Sequence, residues 1–318
     1  MMISKYGVLA QTNTYIEPML TAYAIPSVSG AIRLKSEKPV GPTTKAMWRW
    51  KSTAWTTGDD ETTGTLIVDM SSDYKADNEW YEATGLVNGT LYFIKAFPYK
   101  SSSYNTTIGE NESNCKAGGL VHEYTMDSIS GSTVNDTAGS NNITATNISY
   151  ASGKVANASI FNGSSSYIVA NGVMTASQLD SDFTLEVWAN ADDLSAGIRQ
   201  WIAFYQYRII LLSTSANVLR FVIGGTNEIT HTITTGAYYH IIIKRDKING
   251  LSLIVNTVTE DTDSFTGNGA SISRNTYIGR QDNSAIEHYD GKLDQFRFYT
   301  RVLEDYEITN LYNGGNGC

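Results

Sequence analysis

Cysteine and proline are scarce, with two Cys and five Pro in 318 residues. Two thiols, Cys115 and Cys318, cannot make a disulfide framework. Whether they pair with each other is open at this level, since a bridge needs an oxidising compartment and the right geometry. Charge is sparse too. Asp, Glu, Lys and Arg make up 17% of the chain and sum to -9, and no Lys/Arg cluster is interleaved with aromatics, so the footprint of a nucleic-acid binder is missing. No stretch reaches the ~20 apolar residues that a membrane-crossing helix needs. The opening Met1-Met-Ile-Ser-Lys has no sustained apolar core, so neither membrane insertion nor an export signal is expected. Eight Asn-x-Ser/Thr sequons lie scattered in an Asn-, Ser- and Thr-rich chain. Without an export signal they are expected to stay unmodified.

Apolar residues, at 41%, are plentiful enough to exclude disorder for the bulk of the chain, and tyrosine is abundant at 20. Short alternating apolar runs separated by Ser, Thr, Asn and Gly, with few helical periods, predict an all-β protein. The length exceeds the usual size of one hydrophobic core, so two domains are expected.

Residues 1–24 carry apolar side chains without a period, the pattern of an arm that frays or pairs with a neighbouring subunit. From 25 to 114 short alternating segments follow closely, among them Gly30-Ala-Ile-Arg-Leu, Ala46-Met-Trp-Arg-Trp and Leu91-Tyr-Phe-Ile-Lys-Ala-Phe, which predicts a β-sandwich. Of Trp48, Trp50, Trp55 and Trp80, one or two read as core tryptophans ahead of a sugar-stacking platform. Leu86-Val-Asn-Gly-Thr-Leu-Tyr92 resembles the tyrosine corner of fibronectin type III sandwiches. The longer run Thr84-Gly-Leu-x-Asn-Gly-Thr-x-Tyr-x-x-x-Ala-x-Pro-Tyr99 is similar to sandwich modules of bacteriophage tail and virion proteins. Cys115-Lys-Ala-Gly-Gly119 reads as a linker.

From 120 to 318 several blocks stand in the order of laminin-G-like, concanavalin A-type jelly rolls. Leu120-Val-His-Glu-Tyr resembles the opening strand, Gly153-Lys-x-x-Asn-Ala-Ser-Ile-Phe-Asn-Gly163 the glycine turn, and Asp182-Phe-Thr-Leu-Glu-Val-Trp188 the central strand. Tyr238-Tyr-His-Ile-Ile-Ile-Lys-Arg-Asp246 with Leu251-Ser-Leu-Ile-Val-Asn256 resembles the hairpin, with tyrosine in place of the usual tryptophan. Asp290-Gly-Lys-Leu-Asp-Gln-Phe-Arg-Phe-Tyr299 resembles the closing strand. Strict alternation there places Asp294 with Phe296 and Phe298 on one face and Leu293, Gln295, Arg297 and Tyr299 on the other. Ile308, Leu311 and Tyr312, behind Glu304, Asp305 and Glu307, predict a short terminal helix. The expected fold is a fibronectin III-like β-sandwich followed by a two-sheet jelly roll.

No alternating acidic pair of the kind glucanases use, and no His-Glu-x-x-His or triad context, occurs in the chain, so it reads as non-catalytic. The resemblance implies a Ca²⁺ tying first and last strands, with Asp127, Asp136, Asn141, Asn142 and Asp294 as ligands. The alternative at those carboxylates is hydrogen bonding to backbone N–H groups. It also implies glycan binding, for which Trp201, Tyr205, Tyr207 and Tyr289 are the candidate contacts. The resulting expectation is an oligomeric bacteriophage virion surface protein, on a tail, fibre or capsid. Its arm and first domain attach to other virion proteins and its laminin-G-like module binds a host-surface glycan. The alternative is a structural decoration or fibre subunit that binds no sugar.

Overall fold

The computed structural model describes residues 22–36, 45–59, 62–68, 81–100, 103–104, 112–127, 132–195, 197–204, 209–214, 217–268, 276–281 and 286–318. The arm expected over 1–24 lies almost wholly outside them. Eight strands come first: β1 (Ala22–Pro26), β2 (Ile32–Ser36), β3 (Lys45–Lys51), β4 (Thr65–Val68), β5 (Tyr81–Ala83), β6 (Leu91–Lys100), β7 (Ser103–Tyr104) and β8 (Glu112–Lys116). They form a three-stranded sheet, β1-β2-β5, and a five-stranded one, β4-β3-β6-β7, with β8 also paired to β6. Trp48 is buried beside Tyr81, and Trp55 meets Phe97 edge-on at 5.7 Å, so both are core residues. Trp80 lies outside the described residues. The Val87 N–H donates to the Tyr92 hydroxyl at 3.0 Å, which closes the corner over the Asn88-Gly89 turn.

The described residues divide into two compact units along a line that differs from the sequence reading. One contains the described parts of 35–81 and 93–113, and the other contains 23–34, 82–92 and 114–318. The sequence reading drew 25–114, a linker at 115–119 and 120–318. Backbone groups explain the difference, because buried N–H and C=O groups must find partners. Gly118 N–H donates to Ala31 O at 3.0 Å, Leu120 N–H to Ser27 O at 3.2 Å and Gly89 N–H to Ala117 O at 2.9 Å. Arg301 adds donors to Gly118 O and Lys116 O at 3.0 and 3.1 Å. Gly119 sits at φ 103, and a Cβ there would meet the Arg301 side chain. Its freedom lets the arginine lie close rather than loosening a hinge.

The rest of the second unit begins with β9 (Leu120–Tyr124), β10 (Thr133–Val134), β11 (Ile143–Thr146), β12 (Ser149–Ser152), β13 (Asn157–Asn162) and β14 (Tyr167–Val169). After the one-turn helix α1 (Ala176–Leu179) come β15 (Phe183–Ala191), β16 (Arg199–Phe204), β17 (Ile209–Ser213), β18 (Val218–Ile223) and β19 (Asn227–Thr232). Strands β20 (Tyr239–Asp246), β21 (Gly250–Val255), β22 (Val258–Asp263), β23 (Tyr277–Ile278) and β24 (Asp290–Tyr299) lead to helix α2 (Asp305–Tyr312). One sheet runs β12-β13-β24-β15-β20-β21-β22, with β9 paired to β24, and the other runs β10-β11-β14-β23-β16-β17-β18-β19. A single apolar core containing Phe161, Phe183, Trp201, Phe221, Phe296 and Phe298 fills the space between them. Alternation does the sorting: Leu219, Phe221 and Ile223 are buried, while Val218, Arg220 and Val222 between them are only half-buried.

The closing strand meets the opening one as expected, with Phe296 opposite Tyr124, Arg297 opposite Glu123 and Phe298 opposite His122. Its alternation, however, is broken. Gln295 has a left-handed φ of 49, and the pairing to β15 slips between Glu186 and Trp188. One extra residue in a strand turns everything beyond it to the other face. Leu293, Phe296 and Phe298 therefore share the core, while Asp294 faces the outside of the sheet opposite Trp188. Helix α2 and the last residues cover that outside: Tyr312 stacks on Trp188 at 5.7 Å, and Ile308 and Leu311 are buried. The Glu304 N–H donates to the Glu307 carboxylate at 2.9 Å, so the acidic first turn caps its own helix.

Candidate functional site

Two of the expected sugar contacts are core residues. Trp201 and Tyr289 are fully buried with ring centroids 4.9 Å apart. The indole Nε1 donates to Ser213 Oγ at 3.0 Å and the Tyr289 hydroxyl to Lys292 O at 3.1 Å. Burial, then the nearby Asp192, pushes the Tyr289 phenol well up. Neither ring offers a face to a ligand, which corrects that assignment. Tyr205 and Tyr207 lie outside the described residues.

The five expected Ca²⁺ ligands each hydrogen-bond to neighbouring loop segments, while Asp294 Oδ1 is buried without a partner. Asp136 Oδ1 accepts from the N–H groups of Glu123, Ala138 and Gly139, and Oδ2 from Asn141 N–H, with His122 Nδ1 2.6 Å away. Burial opposes its charge, but the His122 ring and these N–H groups outweigh that and hold the carboxyl below its usual range. Asn142 Oδ1 accepts from Asp136 N–H, and Asn141 Nδ2 donates to Asn171 O. Asp127 accepts from Asn157 N–H at 2.9 Å. Asp294 Oδ2 accepts from Lys154 and Val155 N–H at 2.7 and 2.9 Å. Among the described residues no three His, Cys, Asp or Glu side chains gather as a metal group. In this arrangement these side chains fasten turns.

The outside of the β24 sheet holds a buried polar network. Arg297 Nε donates to Glu123 at 2.7 Å, Nη1 to Glu186 at 3.0 Å, and Nη2 to Gln295 and to Cys318 O at 2.7 and 2.6 Å. His240 Nε2 lies 3.0 Å from Glu186, and the Tyr299 hydroxyl donates to Glu186 at 3.2 Å. Burial disfavours the Glu123 charge, yet Arg297 and then Arg33 bring its pKa down to about 2. Apart from His240 Nδ1, which is buried without a partner, these groups satisfy one another and are closed off from solvent. Cys115 and Cys318 are both free thiols.

The outside of the β16 sheet is different. Ile168 and Ile278, paired across β14 and β23, point into the core, so Tyr167, Val169 and Tyr277 beside them point outward. Tyr167 and Tyr277 are half-buried, with ring centroids 6.2 Å apart and planes tilted by 58°. The Arg280 guanidinium carbon lies 3.9 Å from the Tyr167 centroid and 4.4 Å from that of Tyr277. Gly279 permits this. It adopts φ 88, and a Cβ there would run into the Phe161 ring at 2.3 Å. Strand β23 therefore ends in a left-handed turn that brings Arg280 back over the tyrosines. The neighbours across the pairing are small or neutral, Thr146 opposite Tyr167 and Ala203 opposite Tyr277. Two aromatic faces with one clamped guanidinium can stack on the C–H face of a sugar ring and donate to its oxygens. Both motifs are visible in the sequence, as Ser166-Tyr-Ile-Val and Thr276-Tyr-Ile-Gly-Arg. Their outward alternation was the available signal, but not their meeting across more than a hundred residues.

Residues 161–309 match the family model described as the concanavalin A-like lectin/glucanases superfamily. No curated protein sequence matches the chain. Among solved structures, the receptor-binding domain of botulinum neurotoxin C/D mosaic serotype is similar with a TM-score of 0.51 and 10% identity, over 62% of this chain and 51% of that one. Trypanosoma rangeli sialidase in complex with 2,3-difluorosialic acid aligns at 0.51 and 15% identity, over 73% of this chain and 44% of the sialidase. Domain 4 of the arabinanase AbnA from Geobacillus stearothermophilus, in complex with arabinotriose, aligns at 0.47 and 18% identity, over 60% and 97%. The chain thus spans about half the length of the toxin and sialidase chains. At these identities the likeness is one of fold. Residues 161–309 form a concanavalin A-like domain, and the strand pairing of β24 with β9 adds its opening edge.

Proposed function

We propose that the chain is a non-catalytic carbohydrate-binding protein of a bacteriophage virion surface, and that it engages host glycans through the outer face of the β16 sheet. The observation that carries this reading is the Tyr167 and Tyr277 pair, half-exposed on an uninterrupted sheet and clamped by Arg280. It is supported by a fold whose solved neighbours include a toxin receptor-binding domain and a sialidase with bound ligand. Two carboxylates that meet on the β24 sheet, Glu123 and Glu186, are buried and held by Arg297, which places that pair away from any glycosidic bond. The virion assignment draws on the resemblance of Thr84 to Tyr99 to phage sandwich modules and on the tandem of β-modules. On a particle, many copies would turn a weak single-site affinity into firm attachment. The test is a glycan array and host-cell adsorption with the full chain. Binding that disappears in Tyr167→Ala and Tyr277→Ala is the expected result. No binding to any glycan or cell would instead identify a structural decoration or fibre subunit.

A further inference from the structure

We infer that the cluster of Tyr167, Tyr277 and Arg280 selects saccharides bearing a negative charge, a carboxylate or a sulfate ester, over neutral ones. The inference rests on the carbohydrate-binding reading above and narrows its ligand class. Arg280 is fixed in place, its guanidinium carbon 3.9 and 4.4 Å from two ring centroids. A guanidinium packed against aromatic rings is held without spending its N–H groups, and its fork is the geometry that reads a carboxylate or sulfate with two parallel bonds. That fork has no acceptor among the described residues, and Nε is buried without a partner. Acids are not lacking in a chain of net charge -9. Arg33, Arg199, Arg220, Arg297 and Arg301 each hold a carboxylate. Glu287, seven residues beyond Arg280, is bonded to Gln200 instead. The paired neighbours on this face, Thr146, Val169 and Ala203, carry no charge. An incoming anion therefore meets one oriented cation and no repelling group among those neighbours.

The experiment titrates the full chain by calorimetry with trigalacturonate, its fully methyl-esterified form, lactose and lactose 3′-sulfate, each at low and high salt. The expected result is binding of at least one charged sugar about tenfold tighter than its neutral counterpart, roughly 1.4 kcal/mol, with the advantage shrinking at high salt. The pair that shows the gap identifies the anion as carboxylate or sulfate. Arg280→Gln should erase the gap and leave neutral-sugar binding in place, and Arg280→Lys should restore only part of it, because an ammonium has no planar fork. Circular dichroism and melting midpoints matching the parent chain establish that both variants fold. Equal affinities for charged and neutral partners, or a gap that survives Arg280→Gln, would overturn the inference while leaving the carbohydrate-binding reading standing. Failure of all four sugars, together with an array that shows no glycan bound, would overturn both.

Discussion

Arg297 and Arg280 are the same side chain on opposite outer faces of one jelly roll, used in opposite ways. Arg297 is fully buried beneath the C-terminal helix, and its donors reach Glu123, Glu186, Gln295 and Cys318 O. Arg280 is half-buried between two tyrosines and meets no acceptor among the described residues. The difference follows from what each strand faces. Strand β24 lies between β13 and β15, with carboxylates at the matching register, whereas β23 is two residues long and ends at Gly279 among Thr, Val and Ala. Residue type alone does not reveal whether a cation holds a fold together or awaits a ligand. The placement of its acceptors does.

The sharpest way to break this contrast is Arg297→Met. It leaves Glu123 and Glu186 buried without their counter-charge, and the expected loss is about 3–5 kcal/mol in chemical denaturation. A loss below about 1 kcal/mol would show that the network is not what anchors this face.

Acidity separates the same face further. Burial, only partly offset by the Val155 and Lys154 N–H groups, raises Asp294 to about 7, so the folded state holds that proton more tightly than the unfolded chain does. Its contribution is greatest below about pH 4 and drains away as pH rises toward about 7. Glu123, brought down to about 2, acts oppositely: its contribution is complete above about pH 4.5 and is lost as pH falls toward about 2. The two limbs predict maximal stability in mildly acid buffer. Asp294→Asn should flatten the decline toward neutral pH, worth about 2–4 kcal/mol, and melting curves across pH that coincide for parent and variant would count against it.

Gly279→Ala should cost about 1–3 kcal/mol, since it forces a side chain into a left-handed turn against Phe161, and should abolish saccharide binding by moving Arg280. Smallest of all, Tyr167→Ala and Arg280→Gln should change stability by less than about 1 kcal/mol. Millimolar Ca²⁺ should leave the melting midpoint where it is, and a rising midpoint would reinstate a cation at the fastened turns.

Much of the architecture was legible because it rests on local pattern. The alternation of Leu219, Phe221 and Ile223 and the acidic start of α2 follow from spacing that short-range chemistry enforces, while the pairing of β24 with β9 was implied by the family resemblance. The bulge at Gln295 was not legible, since a left-handed residue inside a strand leaves no mark in an apolar/polar pattern; with it went the correct face for Asp294. The sugar contacts failed for a related reason. Trp201 and Tyr289 stand out by size, but large aromatics fill cores at least as often as they line sites. Tyr167 and Tyr277 sit in unremarkable tripeptides, and their value lies only in a juxtaposition that no local window contains.

The reach of Asn310 back to Ala24 O, a separation of 286 positions, sets an order of events. Residues 23–34 leave the ribosome some ninety positions ahead of Glu123, the partner of Arg33, and much further ahead of Asn310. The groups on these strands that Glu123 and Asn310 later engage wait while the residues between are made, and long-range closures of this kind are slow and prone to wrong pairings. A chain cut at residue 120 would therefore lack the groups of residues 23–34 that Glu123 and Asn310 engage.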